Sequence, residues 1–231
     1  KIAGFLFGGD VSYEVLAKGI GQYLIPETYG AVNMGQIISG EKDVGISPYL
    51  WYDKKTDGGL LGSESSEKQW LYGDKMDDAS KWITKIVKNI GETMLDLAEI
   101  LGFGEETIQQ IKDYFVDLGT VDLKNLSAEE VQEALSAWFS NFADEMAGDV
   151  FGALLDRYQK ADEGLFETAI RLAVEKEMIL EVLDMTGKAF AGTAEEAVHF
   201  SQALIEIAGS LEALTEDAQT YFEEYLTEAE Q

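Results

Sequence analysis

The chain contains no cysteine, which excludes disulfides, thiolate metal sites and thiol nucleophiles. It has a single histidine, His199. Ligation of a metal by paired histidines is therefore excluded, and any histidine-based triad would have to centre on that residue. Lys and Arg stop at Lys188, leaving a purely acidic end. No apolar run reaches the ~20 residues that span a bilayer, and no signal peptide is visible. Neither a GxxxxGK[ST] phosphate loop nor a GxSxG nucleophile elbow occurs. Most familiar routes to catalysis are closed at the level of composition.

What is present in excess is negative charge, −27 over 231 residues. Residues 1–73 hold 6 Lys/Arg against 9 Asp/Glu, while residues 74–231 hold 11 against 35. Such a surface opposes a phosphate backbone, whose binding depends on Lys and Arg displacing counterions. Direct nucleic-acid binding is not expected, and the acidity reads first as a solvated surface.

Patterning divides the chain in two. Residues 1–73 form a β-rich, glycine-rich subdomain with short apolar runs between turn signals. Ile2–Phe7 reads as a strand or the end of a hydrophobic segment. Ser12–Ile25 reads as one or two strands around Gly19 and Gly21. Ala31–Ser39 and Val44–Lys54 read as a strand pair, Thr56–Gly59 as a turn, and Lys68–Tyr72 as a last strand. Gly58–Lys68 should be a mobile loop. The aromatics Tyr49, Trp51, Tyr52, Trp70 and Tyr72 are expected to be exposed on this sheet.

Residues 74–231 read as an acidic helical domain. Asp77 or Asp78 can cap a helix whose face includes Trp82, Ile83, Ile86, Val87, Met94 and Leu101. A shorter helix follows, with Ile108, Ile111, Phe115 and Leu118 on one side, and then Thr120–Leu123 as an extended link or returning strand. Ser127 and Glu130 form a capping box, with Leu126 and Val131 placed as a hydrophobic staple. That box launches a long helix to about Lys160 with Leu135, Trp138, Phe139, Phe142, Met146, Val150, Leu154 and Tyr158 on one face. Asp162 can cap the next helix, turning Leu165, Phe166, Ala169, Ile170, Ala173, Ile179, Val182 and Leu183 inward. Thr193 and Glu196 form a second capping box, and Thr215–Glu230 reads as the last helix. The expected class is α+β, a small antiparallel β-sheet region followed by a predominantly α-helical bundle. The chain opens on Lys1 and ends inside a helical pattern, so it reads as a fragment of a longer chain.

Candidate chemistry is sparse. Glu196-x-x-His199 matches half of a di-iron carboxylate motif, but the second half needs a second histidine. Gly19-Ile-Gly21 lacks the third glycine of a dinucleotide loop and is better read as backbone freedom in strands or a turn. Glu163 and Glu167 beside Arg171 are spaced as an ion-pair ladder. Asp117-x-x-Thr120-x-Asp122 does not have calcium-loop spacing. With 44 acidic residues, a glycosidase-like carboxylate pair carries almost no information. No catalytic, cofactor-binding or metal-binding residue is assigned.

One resemblance extends over most of the chain. It is carried by Asp122-Leu-Lys-Asn-Leu-Ser-Ala-Glu-Glu-Val131, Phe139 through Asp144, Glu163-Gly-Leu-Phe-Glu-Thr168 with Arg171-Leu-Ala173, and Ala208-Gly-Ser-Leu-Glu-Ala-Leu214. Tyr221 through Glu230 continues it, and Gly58-Gly-Leu-Leu-Gly62 and Ile100-Leu-Gly102 fit upstream. In these runs, and in their order, the chain resembles the C-terminal region of tail tape-measure proteins of long-tailed bacteriophages and prophages. Gln231 departs from the pattern, which calls for a basic residue there.

The resemblance implies a virion structural protein, part of the ruler that sets tail length. Such proteins lie along the tail tube, associate with the tail-tip end and leave the tail during genome delivery. It further implies tail-tip and distal tail proteins, the tail tube and a tail assembly chaperone as partners, with a homo-oligomer in the tail. Localisation would be the virion, and the host cytoplasm during assembly. The family offers no catalytic residues to carry over and no cofactor. The alternative is a peptidoglycan-cleaving enzyme segment using a Glu/Asp pair.

Overall fold

Between Val11 and Gln22, β-branched and aromatic residues alternate with polar ones, the pattern of a half-buried strand. In the computed structural model, which describes residues 11–22, 32–56, 65–74, 76–185 and 187–225, this stretch is strand β1. With β2 (Ile46–Thr56), β3 (Ser65–Tyr72) and β4 (Thr120–Asp122) it forms one antiparallel sheet in the order β3-β2-β1-β4. Seven helices accompany the sheet among the described residues: α1 (Met34–Ser39), α2 (Asp77–Leu101), α3 (Glu105–Asp113), α4 (Ala128–Tyr158), α5 (Leu165–Met185), α6 (Ala194–Ala208) and α7 (Leu211–Tyr225). The class is α+β, as the patterning predicts.

Several local expectations are corrected. Within the expected strand Ala31–Ser39, Met34–Ser39 is instead a helix, because Asn33 and Gln36 form a reciprocal capping box that starts α1 and Gly40 ends it in the left-handed conformation, φ 74°. The short helix α3 stops at Asp113, so Phe115 and Leu118 are not on it. Phe115 bridges to Asn33, and the Val116 N–H donates to the Val32 carbonyl. Asp162 does not cap α5. It sits in a turn at φ 64°, and the carboxylate of Asp144 accepts from the Phe166 N–H instead, at 2.8 Å. The last helix starts at Leu211, where the Ser210 hydroxyl accepts from the Ala213 N–H. Ser65–Lys68 belongs to β3 and not to a loop. Ile2–Phe7, the Asp57–Gly59 turn, residues 58–64 and Leu226 onward lie outside the described residues.

Strand gives way to helix at residues 73–77, but the chain divides into compact units differently. A sheet unit comprises residues 1–88 and 115–142, and a helical unit comprises residues 89–114 and 143–231. The boundaries fall inside α2 and α4.

In the sheet unit the core is built from Met34, Ile37, Val44, Ile46, Ile83, Val87, Val121 and Trp138, all buried. Side chains close the backbone groups that the sheet leaves open. Ser80 and Thr84 of α2 accept the Ile46 and Val44 N–H groups at 3.0 and 2.9 Å. Buried Gln22 donates to the Val116 carbonyl and accepts from the Leu118 N–H, while the Trp138 indole donates to the Leu118 carbonyl. Gly19 permits β4 to lie close to β1, since a Cβ there would fall 1.8 Å from the Val121 carbonyl oxygen.

The helical unit buries Met94, Leu101, Ile111, Met146, Leu155, Leu172 and Ile179. Helices α5, α6 and α7 pack against one another. The C-terminal end of α2 has no basic residue in its last turn, and buried Lys176 of α5 donates its ammonium to the Ile100 carbonyl there. Helix α4 bends at Gly152, whose φ of 32° no other residue type tolerates well.

Candidate functional site

The richest polar constellation lies where the end of α4 meets α5 and α6 in the helical unit. Arg171 lies at its centre. Its guanidinium donates to both oxygens of Glu163 at 2.8 and 2.9 Å, to Glu175 at 2.9 Å and to the Tyr158 carbonyl at 2.7 Å. Glu163 also accepts from the Thr168 hydroxyl and the Lys160 N–H, and Glu175 from the Gln202 amide of α6 at 2.6 Å. All three charged side chains are at most 16% exposed. The fork of Arg171 holds the Glu163 carboxyl down at about 2, against the opposing pull of burial, and the two glutamates raise Arg171 further. The ladder expected from spacing is thus corrected in one partner: Glu175 replaces Glu167, which is exposed.

His199 lies on the same side of the unit. Its Nδ1 is 2.5 Å from the Tyr158 hydroxyl and its Nε2 is 3.6 Å from Glu195. Glu196, the residue paired with it by the di-iron spacing, is occupied in the capping box with Thr193, which holds its carboxyl below the usual range. Among the described residues no group of three or more His, Asp or Glu side chains is arranged to hold a metal ion. A hydroxyl, an imidazole and a carboxylate are therefore aligned, but the carboxylate end is 73% exposed and the phenol is a weak nucleophile. The hydrogen bond of Tyr158 with His199 joins α4 to α6, and its evident effect is mechanical.

In the sheet unit, a cleft of about 390 Å³ is lined by Lys18, Gly19, Ile20, Pro48, Met76, Leu123, Lys124 and Asn125. Lys124 donates to the Val15 carbonyl at 2.5 Å, so one of its two cations is already engaged. Near the Gly19-Ile-Gly21 run, this cleft owes its shape to the close approach of β4 and has no phosphate-loop geometry.

The aromatics are distributed otherwise than expected. Tyr49 is buried, Trp51 and Tyr52 are half-buried, and the side chains of Trp70 and Tyr72 lie outside the described set. Among the described side chains the exposed indole is that of Trp82 on α2, 51% accessible, which the helical pattern turns inward. It meets Phe139 of α4 edge-on, with centroids 5.9 Å apart, and Phe139 in turn lies against buried Trp138. Lys81 and Lys85 are exposed on the same helix. Nothing in the spacing of Trp82 announces its exposure.

Compared with protein-family models, with curated proteins and with solved structures, the chain finds no match. No helix among the described residues is long and apolar enough to cross a membrane.

Proposed function

We propose that the chain is a non-enzymatic structural segment of a phage tail, from the C-terminal region of a tape-measure protein. The observation that carries the reading is the ordered series of sequence runs from Asp122–Val131 to Tyr221–Glu230. Its most legible run, Asp122–Val131, contains a capping box in which Ser127 donates its N–H to Glu130 at 2.7 Å and its hydroxyl accepts from the Glu130 N–H at 3.3 Å. In this reading the segment docks to tail-tip and distal tail proteins, contacts the tail tube and assembly chaperone, and associates with its own copies. It forms part of the length ruler, resides in the virion after assembly in the host cytoplasm, and leaves the tail with the genome. The exposed Trp82 with Phe139, flanked by Lys81 and Lys85, offers a docking patch that the buried Tyr49 does not.

Two measurements test this. Purified chain mixed with tail-tip proteins should co-elute with them or self-associate; a monomer indifferent to both overturns the reading. A zymogram on peptidoglycan should show no clearing, and a cleared band would replace the structural role with a muralytic one.

A further inference from the structure

Helix α5 is apolar on two sides, and only one of them is buried. Ala169, Leu172, Ala173 and Ile179 face the core of the helical unit. Ile170, Val174, Met178 and Met185 do not: they are 37–48% exposed. At 100° per residue these four fall within about 80° of one another, a stripe about 22 Å long that they share with Glu167 and Glu181. The pattern places Ile170 inward, and its exposure is a correction with a consequence. Large apolar side chains aligned on the outer face of a helix mark a surface that a partner can cover.

The charges around the stripe are of one sign. Glu167, Glu177, Glu181 and Asp184 are exposed on the same side of the helix. The only two cations of α5 are turned away, Arg171 onto Glu163, Glu175 and the Tyr158 carbonyl, and Lys176 onto the Ile100 carbonyl. The helical unit as a whole holds 6 Lys/Arg against 27 Asp/Glu. An apolar stripe interleaved with carboxylates repels nucleic acid, anionic lipid and the same face of another copy. It complements a helix with an apolar side bordered by Lys or Arg. Two of the four anchors are methionines, whose flexible side chains adapt to a partner's surface.

We propose that the outer face of α5 is a docking site for a basic amphipathic helix of a partner protein, about four turns long, seated on Ile170, Val174, Met178 and Met185. The site is independent of the tail reading, since it rests on the surface of the helical unit alone.

The test uses the whole chain and a fluorescently labelled synthetic Lys/Leu amphipathic 18-residue peptide, with a scrambled peptide of the same composition as control. The wild-type chain should bind the ordered peptide at least tenfold more tightly than the scrambled one by anisotropy. Val174→Glu with Met178→Glu should weaken that binding tenfold or more, with far-UV circular dichroism unchanged. Leu71→Glu, at an exposed residue of β3, should leave it unaltered. Because the double variant adds negative charge, attraction by net charge alone would grow stronger; equal or tighter binding overturns the proposal. Equal affinity for ordered and scrambled peptides overturns it as well. So does self-association of the wild-type chain that the double variant abolishes while peptide binding is absent. Failure of tail-tip binding with this result intact would count against the tail reading only.

Discussion

The two units of this chain solve the same problem by different means. The sheet unit carries 11 Lys/Arg against 17 Asp/Glu, a net −6, whereas the helical unit carries a net −21. In the sheet unit, neutral side chains such as Gln22, Ser80, Thr84 and Trp138 complete the backbone hydrogen bonding, and a glycine sets the spacing of two strands. In the helical unit, ionised groups do the joining, with Arg171 tying a loop to two helices and Lys176 closing a helix end. Neutral bonds are indifferent to pH, and ionic ones are not. The sheet unit has ionic bonds of its own, Glu14 with Lys55 and Glu130 in its capping box, but these are solvent-exposed, so acid should act chiefly on the helical unit. All four tryptophans, Trp51, Trp70, Trp82 and Trp138, belong to the sheet unit. Indole fluorescence reports the sheet unit alone, while most of the helical unit is visible only to far-UV circular dichroism.

Arg171→Ala should have the largest effect. It leaves Glu163 and Glu175 poorly solvated and without their shared cation, at a cost of about 3–5 kcal/mol. Denaturant melts followed by circular dichroism should move well to lower midpoints while the indole transition moves less; equal movement of both would show that the units unfold as one.

Acid comes next. Glu163 has its pKa lowered from 4.5 to about 2, so its contribution is complete above about 4.5 and is lost as pH falls through about 2. That contribution is on the order of 3 kcal/mol, less any solvent screening at this partly open site. Stability by circular dichroism should fall across that window, and Glu163→Gln should flatten the slope. A slope unchanged by the substitution would place the acid sensitivity elsewhere.

Gly19→Val addresses the other unit. A side chain there must push β4 off β1, costing about 1–3 kcal/mol. The indole transition should shift with no change in its acid sensitivity. Smallest is Ser127→Ala, which removes a solvent-exposed cap and should cost about 1 kcal/mol. Binding by the folded fraction should be unaltered; loss of binding without loss of stability would make this helix start part of a docking surface.

Much of the fold is legible in the residues, and the exceptions have physical causes. Both capping boxes expected from spacing, Ser127 with Glu130 and Thr193 with Glu196, form as expected because they depend only on residues three apart. The third, Asn33 with Gln36, is just as local, but the apolar run behind it imitates a strand and hides it. Thr120–Asp122 pairs with β1 as the strand alternative for that link requires. Arg171 is recognisable as an ion-pair residue, yet Glu163 reaches it from a loop eight residues away, where helical spacing has no bearing. Tyr49 and Trp82 exchange their expected environments, because amphipathic spacing identifies a face and not what lies opposite it. The outward turn of Ile170 is the same failure, and it is the one with functional weight.

The division of the chain also bears on its synthesis. Neither unit is a continuous stretch: the sheet unit is interrupted by residues 89–114, and the helical unit by residues 115–142. A ribosome that has released residue 88 has delivered three strands and α1, but β4 and the Trp138 indole that closes on Leu118 are still to come. The sheet unit is complete only at residue 142, and the pairing of β4 with β1 is a long-range closure of the kind that slows folding. Only then does the helical unit receive the 89 residues, 143–231, that pair with the segment already waiting since residue 114. Vectorial synthesis thus imposes an order, sheet before helices, on two units that are interleaved in sequence.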